Sequence, residues 1–138
     1  MNNISALIID DSEINRYILN RQLKLVGIEH IFENDDGSSA LSFLSALEEN
    51  MRTLKEKFPP TIIFLDINMP IVNGFDFLER FVEMAKEKAY QRCKVVIYSS
   101  SSLEEDKERA LSFDCVSDYL VKGDSSLDEL KLVVERLH

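Results

Sequence analysis

The chain has 138 residues, of which 45% are hydrophobic and 30% charged, a composition typical of one soluble globular domain with a buried core. Its net charge of −9 disfavours nonspecific binding to nucleic acid or anionic lipid, because those partners are also negatively charged. The sequence has neither an apolar run of roughly 20 residues nor a basic start followed by an apolar leader, so we expect no membrane span and no signal peptide. These features predict a cytoplasmic protein in which Cys93 and Cys115 are reduced core thiols.

The predicted elements begin with a strand and an amphipathic helix. Residues 4–10, ISALIID, are almost continuously apolar, as expected of a strand that is covered on both sides. A helix is predicted over residues 12–27, with Ser12 as its N-cap and Gly27 as its C-terminal stop. A weaker strand follows over residues 28–33.

One long helix is predicted from residue 38 to about residue 57, before the prolines at positions 59 and 60. Its apolar residues recur at spacings of four, three, four and three, which places them on one helical face. These residues are Ala40, Leu44, Leu47, Met51 and Leu54.

The second half of the chain continues the alternation of strands and helices. Strands are predicted over residues 61–66, 94–99 and 117–122, and helices over residues 75–89, 103–113 and from 126 onward. The last helix begins with SLDE, a capping-box pattern. Its buried face is predicted to comprise Leu127, Leu130, Val134 and Leu137.

Short apolar strands that alternate with amphipathic helices indicate an α/β domain with a parallel sheet. Because crossovers between parallel strands are right-handed, the helices cover both faces and the sheet is doubly wound. In such sheets, ligands bind beyond the carboxyl ends of the strands. Functional residues are therefore expected where the predicted strands end.

Polar side chains stand at the carboxyl ends of four predicted strands, namely Asp10, Asp11, Asp66, Ser99 and Lys122. Asp66 ends an apolar run, and a lone buried charge is costly unless it has a partner. Three neighbouring carboxylates repel one another, and Mg²⁺ relieves this repulsion because it prefers oxygen ligands. An amine and a hydroxyl across the pocket suit a phosphoryl group. Asp66 is then placed as a carboxylate nucleophile that forms an aspartyl phosphate.

Five segments resemble the receiver domain of two-component response regulators, and together they span essentially the whole chain. The segments are LIIDDSEINR (7–16), DGSSAL (36–41), IFLDINMPIVNGFDFL (63–78), VVIYSSS (95–101) and DYLVK (118–122). The resemblance implies a flavodoxin-like fold with a five-stranded parallel sheet in the order 2-1-3-4-5. It also implies a phosphoacceptor signalling domain that catalyses only its own phosphorylation and dephosphorylation.

The resemblance implies a role in metal binding or phosphoryl transfer for each aspartate at the strand ends. Asp66 would accept the phosphoryl group, and Asp11 and Asp66 would bind Mg²⁺ directly. Asp10 would act on the metal largely through water, and Asn68 would contribute its backbone carbonyl.

The remaining residues of the matched segments imply a conformational switch. Lys122 would contact a phosphoryl oxygen, and Ser99 would move to form a hydrogen bond with that oxygen. Tyr119 would swing inward into the space that Ser99 leaves. The surface around residues 103–113 and the fifth strand would then respond to a local change of charge.

The partners that the resemblance implies are a sensor histidine kinase or a histidine phosphotransfer protein as donor, and a downstream protein that the sequence does not identify. Because the sequence ends shortly after the last predicted helix, we expect a single receiver domain over residues 1–138 with no output domain. Its output would be a protein contact, including a phosphorylation-dependent dimer, or onward transfer in a phosphorelay. Neither nucleic acid nor a membrane is an expected partner.

Two features depart from the receiver pattern. Gly123 stands where the family usually has proline after its lysine, which leaves the backbone beside Lys122 freer. The predicted helix over residues 38–57 is longer than usual. Its excess, EENMRTLKEKF (48–58), is either a solvated extension or a partner surface.

Two other functions stay open at this point. A receiver-like scaffold that takes no phosphate is compatible with the departure at Gly123. A phosphohydrolase of the haloacid-dehalogenase type needs a second aspartate two residues after its nucleophile, but that position holds Asn68, which transfers no proton. A nucleotide-binding loop is not expected, because the four glycines are scattered along the chain.

Overall fold

The computed structural model describes residues 4–124 and 126–137. Residues 1–3 and 138, the two ends of the predicted domain, lie outside the described residues, as does residue 125. Within the described ranges, no helix is long and apolar enough to cross a membrane.

Five parallel strands form one sheet in the order β2-β1-β3-β4-β5. The strands are β1 (Ser5–Ile9), β2 (His30–Asn34), β3 (Ile62–Leu65), β4 (Lys94–Ser99) and β5 (Val116–Val121). This arrangement confirms the predicted α/β fold and its strand order. The order reverses direction between β1 and β3, and ligands of such sheets bind at the carboxyl ends of the strands beside this reversal.

The helices of the described ranges cover both faces of the sheet. They are α1 (Glu13–Leu25), α2 (Gly37–Ser45), α3 (Leu47–Leu54), α4 (Gly74–Met84), α5 (Glu104–Leu111) and α6 (Leu127–Leu137). Short 3-10 turns follow α3 and α4, at Lys55–Lys57 and Lys88–Tyr90. Helices α1 and α6 pack on one face, and α2, α4 and α5 pack on the other.

Alternate residues of each central strand belong to two separate hydrophobic cores. In β1, Leu7 and Ile9 face α2, α4 and α5, whereas Ala6 and Ile8 face α1 and α6. Successive side chains of a strand point to opposite faces, so a strand covered on both sides is apolar along its whole length. The near-continuous apolar runs of the sequence reflect this burial on both sides.

The two ends of α1 agree with the prediction. The hydroxyl of Ser12 accepts a hydrogen bond from the backbone N–H of Asn15 at 3.2 Å. Gly27 follows the helix with a φ of 104°, a conformation that residues with a Cβ rarely adopt. Local sequence signals therefore define where this helix begins and ends.

Helix α6 buries a face that differs in part from the predicted one. Ser126 accepts a hydrogen bond from the backbone N–H of Glu129 at 3.1 Å, in agreement with the capping pattern. Leu130 is buried as predicted, but Leu127 is 41% exposed. Leu127 is the first residue of α6, and the residues that reach the core begin one helical turn later.

The single long helix predicted over residues 38–57 is wrong. The structure has two helices, α2 and α3, separated at Ala46, whose ψ of 55° is not helical. The side-chain amide of Asn50 donates to the carbonyl of Phe43 at 2.6 Å, which satisfies an acceptor near the end of α2. The regular spacing of apolar residues is shared by two separate helices, and spacing alone does not detect such a break.

Gly74, the first residue of α4, lies against the backbone of the segment that follows β3. A Cβ at this position would lie 2.6 Å from the Cα of Ile67 and 2.8 Å from the carbonyl oxygen of Asp66. The N–H of Gly74 donates to the carbonyl of Ile67 at 3.1 Å. Asn73 and Asp76 close a capping box at the same helix start. The start of α4 therefore fixes the backbone directly after Asp66.

Replacing Gly74 by alanine is expected to lower the free energy of unfolding by about 2 kcal/mol, because the new Cβ overlaps backbone atoms. Urea-induced unfolding followed by circular dichroism measures this change. Arg80→Ala, an exposed substitution in the same helix, is the control and should change stability by no more than about 0.5 kcal/mol. Equal stability of the two variants would contradict the close approach at Gly74.

Candidate functional site

Backbone hydrogen bonds bring the carboxyl ends of three neighbouring strands to the same level. The N–H of Asp10 donates to the carbonyl of Asn34, the last residue of β2, at 3.2 Å. The N–H of Asp66 donates to the carbonyl of Ile9, the last residue of β1, at 3.0 Å. Asp10 and Asp66 therefore lie beside each other at one edge of the sheet.

Asp10 and Asp66 follow β1 and β3 at equivalent positions, and each continues the alternation of side chains in its strand. Ile8 of β1 and Phe64 of β3 both face the core beneath α1 and α6. Each aspartate comes two residues later, and side chains two residues apart on a strand point to the same face. The two carboxylates are thus directed toward the same side of the sheet.

Asp10, Asp11 and Asp66 form an acidic cluster. One oxygen from each carboxylate lies within 4.8 Å of the other two. Asp10 and Asp66 are 3% and 5% exposed, whereas Asp11 is exposed to solvent. Carboxylates this close repel one another, and a small divalent cation with oxygen ligands relieves that repulsion. The three carboxylates, together with the access to solvent at Asp11, therefore fit Mg²⁺.

Within residues 4–124 and 126–137, no other group of three or more His, Cys, Asp or Glu side chains brings its ligand atoms this close to one another. The nearby Asn68 donates its backbone N–H to Asp66 Oδ1 at 3.2 Å, and its side chain is exposed. The predicted roles of Asp10, Asp11, Asp66 and Asn68 as metal ligands stay predictions.

Lys122 places a cation next to both buried carboxylates. Its Nζ lies 2.6 Å from Asp10 Oδ2 and 3.5 Å from Asp66 Oδ2. Its backbone N–H donates to the carbonyl of Ser99 at 2.8 Å, which ties the end of β5 to the end of β4. Gly123 follows with a φ of 84°, so the chain turns away at once after the lysine. One amine faces three carboxylates, and the site keeps an excess of negative charge.

Burial raises the pKa of the Asp66 carboxyl above its ordinary value, because the ionised form loses contact with water. Lys122 and the N–H of Asn68 oppose this increase in pKa, since both stabilise the ionised form. The charge on Asp10 adds to the increase. A further cation at the acidic cluster would thus stabilise Asp66 in the ionised form that can act as a nucleophile.

Ser99 and Tyr119 belong to the other face of the sheet. Tyr119 packs against the core beneath α2, α4 and α5, and Ser99 is fully buried at the end of β4. The hydroxyl of Ser99 accepts a hydrogen bond from the N–H of Ser101 at 3.2 Å. The hydroxyl of Tyr119 donates to the carbonyl of Ser101 at 2.9 Å. Both predicted switch residues are thus linked to Ser101, and their predicted movements stay predictions.

Sequence reasoning missed Arg16, which supports the loop that carries Asp10 and Asp11. Its Nη1 donates to the backbone carbonyl of Asp10 at 2.8 Å, and its Nε donates to Glu33 Oε1 at 3.2 Å. Glu33 also accepts from the side-chain amide of Asn20 at 2.9 Å. The position of Arg16 in the first turns of α1, shortly after the acidic pair, is the signal that was available. Its partner in β2 becomes visible only in the folded chain.

The chain is similar over most of its length to a known protein family. A model of the response regulator receiver domain matches residues 6–135. The sensor protein EvgS of Escherichia coli O157:H7 is 28% identical over 135 residues, which cover 98% of this chain and 10% of EvgS. The chain thus spans about a tenth of the length of that relative.

Solved structures of similar proteins have the same fold. A two-component response regulator from Cytophaga hutchinsonii is 25% identical, with a TM-score of 0.78 and coverage of 99% of this chain and 98% of the other. The receiver domain of the histidine kinase CKI1 from Arabidopsis thaliana, complexed with Mg²⁺ and BeF3⁻, is 21% identical, also with a TM-score of 0.78. It covers 99% of this chain and 90% of the CKI1 domain.

Asp66→Asn is expected to raise the free energy of unfolding by roughly 1 kcal/mol at neutral pH in the absence of divalent cations, because it removes one of three clustered charges. The pKa of Asp66 is raised in the folded protein, so the folded state binds this proton more tightly than the unfolded state does. The ionised carboxylate therefore lowers stability at neutral pH. This effect disappears as the pH falls through the raised pKa toward the ordinary value of 3.8.

Urea unfolding of both proteins across this pH range measures the difference. Asp114→Asn removes the same charge at an exposed position at the other edge of the sheet and is the control. A stabilisation by Asp66→Asn that did not shrink at lower pH would argue against the charge as its cause.

Proposed function

The chain belongs to the family of response regulator receiver domains, and we propose that it accepts a phosphoryl group on Asp66 in a magnesium-dependent reaction. The donor is a phosphohistidine of a sensor histidine kinase or of a histidine phosphotransfer protein. The observation that carries this proposal is the contact of a buried Asp66 with Lys122 inside the acidic cluster. Buried ionisable groups with a specific charge partner are concentrated at functional sites.

The proposed reaction is a displacement at phosphorus. A carboxylate oxygen of Asp66 attacks the phosphorus atom of the phosphohistidine. An acyl phosphate bond forms, the P–N bond breaks, and the imidazole leaves with a proton from solvent. Lys122 stabilises the negative charge on the transferred oxygens, and the Ser99 hydroxyl donates to one of them after transfer.

Mg²⁺ would be held by the carboxylates of Asp11 and Asp66, by Asp10 largely through water, and by the backbone carbonyl of Asn68. When bound, it neutralises charge on the phosphoryl oxygens and on the clustered carboxylates. The acidic cluster supports this assignment, because its three oxygens lie within 4.8 Å of one another and one carboxylate opens to solvent. The Mg²⁺ and BeF3⁻ complex of the CKI1 receiver gives it further support.

The proposed output is a change of protein contacts on phosphorylation, through Ser99 and Tyr119. This includes a phosphorylation-dependent dimer, and onward transfer in a phosphorelay is equally compatible with the site. We further propose that residues 1–138 act as one cytoplasmic receiver that catalyses only its own phosphorylation and dephosphorylation.

A phosphorylation-independent scaffold is the second candidate, and Gly123 is the observation that favours it. Its positive φ and open surroundings leave the backbone after Lys122 without the restraint of a proline ring. Lys122 nevertheless lies within contact distance of both buried aspartates, which favours a working phosphoacceptor.

Incubation with acetyl phosphate is expected to add one phosphoryl group to the wild-type chain in the presence of Mg²⁺, and none in the presence of EDTA. Asp66→Asn should take no phosphoryl group, because an amide oxygen is a poor nucleophile. Intact-protein mass spectrometry measures the adduct. Asp114→Asn is the matched control and should be modified like wild type.

An adduct of equal yield on Asp66→Asn would contradict the assigned acceptor. An unmodified wild type, first with acetyl phosphate and then with a cognate histidine kinase, would favour the scaffold.

Addition of Mg²⁺ at ten times its dissociation constant is expected to stabilise the wild-type chain by about 1.4 kcal/mol, equivalent to a rise in Tm of roughly 5 °C. Asp11→Ala should lose most of this gain, because it removes a direct ligand from the accessible side of the cluster. Thermal unfolding with increasing Mg²⁺ measures the effect without any phosphoryl transfer. Glu13→Ala, an exposed carboxylate two residues away, is the control. Equal Mg²⁺ responses of the two variants would exclude Asp11 as a ligand.

A further inference from the structure

The loop between β4 and α5 is built around Ser101. Its backbone N–H donates to the hydroxyl of Ser99 at 3.2 Å, and its backbone carbonyl accepts from the hydroxyl of Tyr119 at 2.9 Å. Ser99 is fully buried, and Tyr119 is half-buried against the core beneath α2, α4 and α5. A single peptide segment thus contacts both side chains of the proposed switch.

The side chain of Ser101 makes a second pair of contacts, with the start of α5. Its hydroxyl donates to Asp106 Oδ2 at 2.6 Å and accepts from the N–H of Leu103 at 3.3 Å. Leu103 occupies the N-cap position of α5, and its apolar side chain makes no capping hydrogen bond. The first turn of α5 is therefore attached to the loop through Ser101 and Asp106.

We propose that Ser101 is the positioning residue that transmits a change at Ser99 to helix α5, through the hydrogen bond of its hydroxyl with Asp106. The inference rests on the proposed phosphorylation of Asp66. It goes further than that proposal because it assigns the transmission to one residue and to one hydrogen bond outside the phosphoacceptor site.

A change at Ser99 reaches Ser101 because the Ser99 hydroxyl is the acceptor of the Ser101 N–H. When this hydroxyl turns toward a phosphoryl oxygen on Asp66, the contact changes and the peptide of Ser101 shifts. The shift displaces the Ser101 carbonyl to which the Tyr119 hydroxyl donates. At the same time it displaces the Ser101 hydroxyl, which donates to Asp106. Both effects follow from one displacement, since the peptide and side chain of Ser101 are covalently joined.

The hydrogen bond between Ser101 and Asp106 has the charge and position that this role requires. A hydroxyl that donates to a carboxylate makes a charge-assisted bond, which is stronger than a bond between neutral groups. Asp106 lies in the first turn of α5, where the helix dipole favours a negative charge. Both residues are half-buried, so water weakens the contact only in part.

The test measures hydrogen–deuterium exchange of residues 103–107 in wild type, Ser101→Ala and Asp106→Ala, before and after phosphorylation with acetyl phosphate and Mg²⁺. Intact-protein mass spectrometry reports the phosphoryl adduct in the same samples. Before phosphorylation, both variants should exchange about threefold to tenfold faster than wild type, because a charge-assisted hydrogen bond is lost. After phosphorylation, the further change that wild type undergoes should be absent from both variants, although their adduct yield is unchanged.

Conservative and neighbouring substitutions separate transmission from general damage to the loop. Ser101→Thr keeps a hydroxyl and should restore the wild-type response. Ser102→Ala and Glu105→Gln alter exposed neighbours and should respond like wild type.

Wild-type exchange in both Ser101→Ala and Asp106→Ala, or a full response to phosphorylation in either, would overturn the proposal. An adduct on wild type without any change at α5 would also overturn it, and would leave the phosphoacceptor function standing. A wild type without an adduct would instead remove the proposed function and, with it, the transmission by Ser101.

Discussion

The contact of Lys122 with two buried carboxylates is the interaction on which this edge of the sheet depends. Its amine lies 2.6 Å from Asp10 and 3.5 Å from Asp66, and all three side chains are largely shielded from water. Loss of the lysine would cost roughly 3 to 5 kcal/mol, because two buried carboxylates would be left without compensation. Lys122 follows β5, at the border of the sheet, so the contact also ties the last strand to the two strands beside the reversal of strand order.

The same contact leaves the site short of positive charge, and this shortage links stability to function. A fully balanced or apolar cluster would stabilise the domain better, but it would hold no charge available for a ligand. The three carboxylates of the acidic cluster attract a cation, and the single lysine leaves room for a phosphoryl group to bring further negative charge. The excess negative charge at this edge therefore lowers the stability of the domain, and such local destabilisation is typical of functional sites.

Most of the fold and the main polar residues of the site were predictable from sequence because their signals are local. A strand buried on both sides must be apolar throughout, and Asp66 stands out because it ends such a run. The break at Ala46 left no such signal, since the apolar spacing of α2 continues into α3. The support of Asp10 by Arg16 and the attachment of Ser101 to Asp106 were also missed. Those contacts depend on how loops and helices lie against one another, which periodicity does not describe.

Helix α3 has a consequence for how this domain can be modified. It buries none of its residues, and it follows α2, which runs from the carboxyl edge of the sheet to the amino edge. Leu47 and Leu54 pack against the core beneath α2, α4 and α5, so a change in α3 leaves both cores intact where it spares these two side chains. The exposed side of α3 is therefore a suitable place to attach a fluorescent label or to insert a second domain, for example to build a sensor that leaves the chemistry of the opposite edge intact.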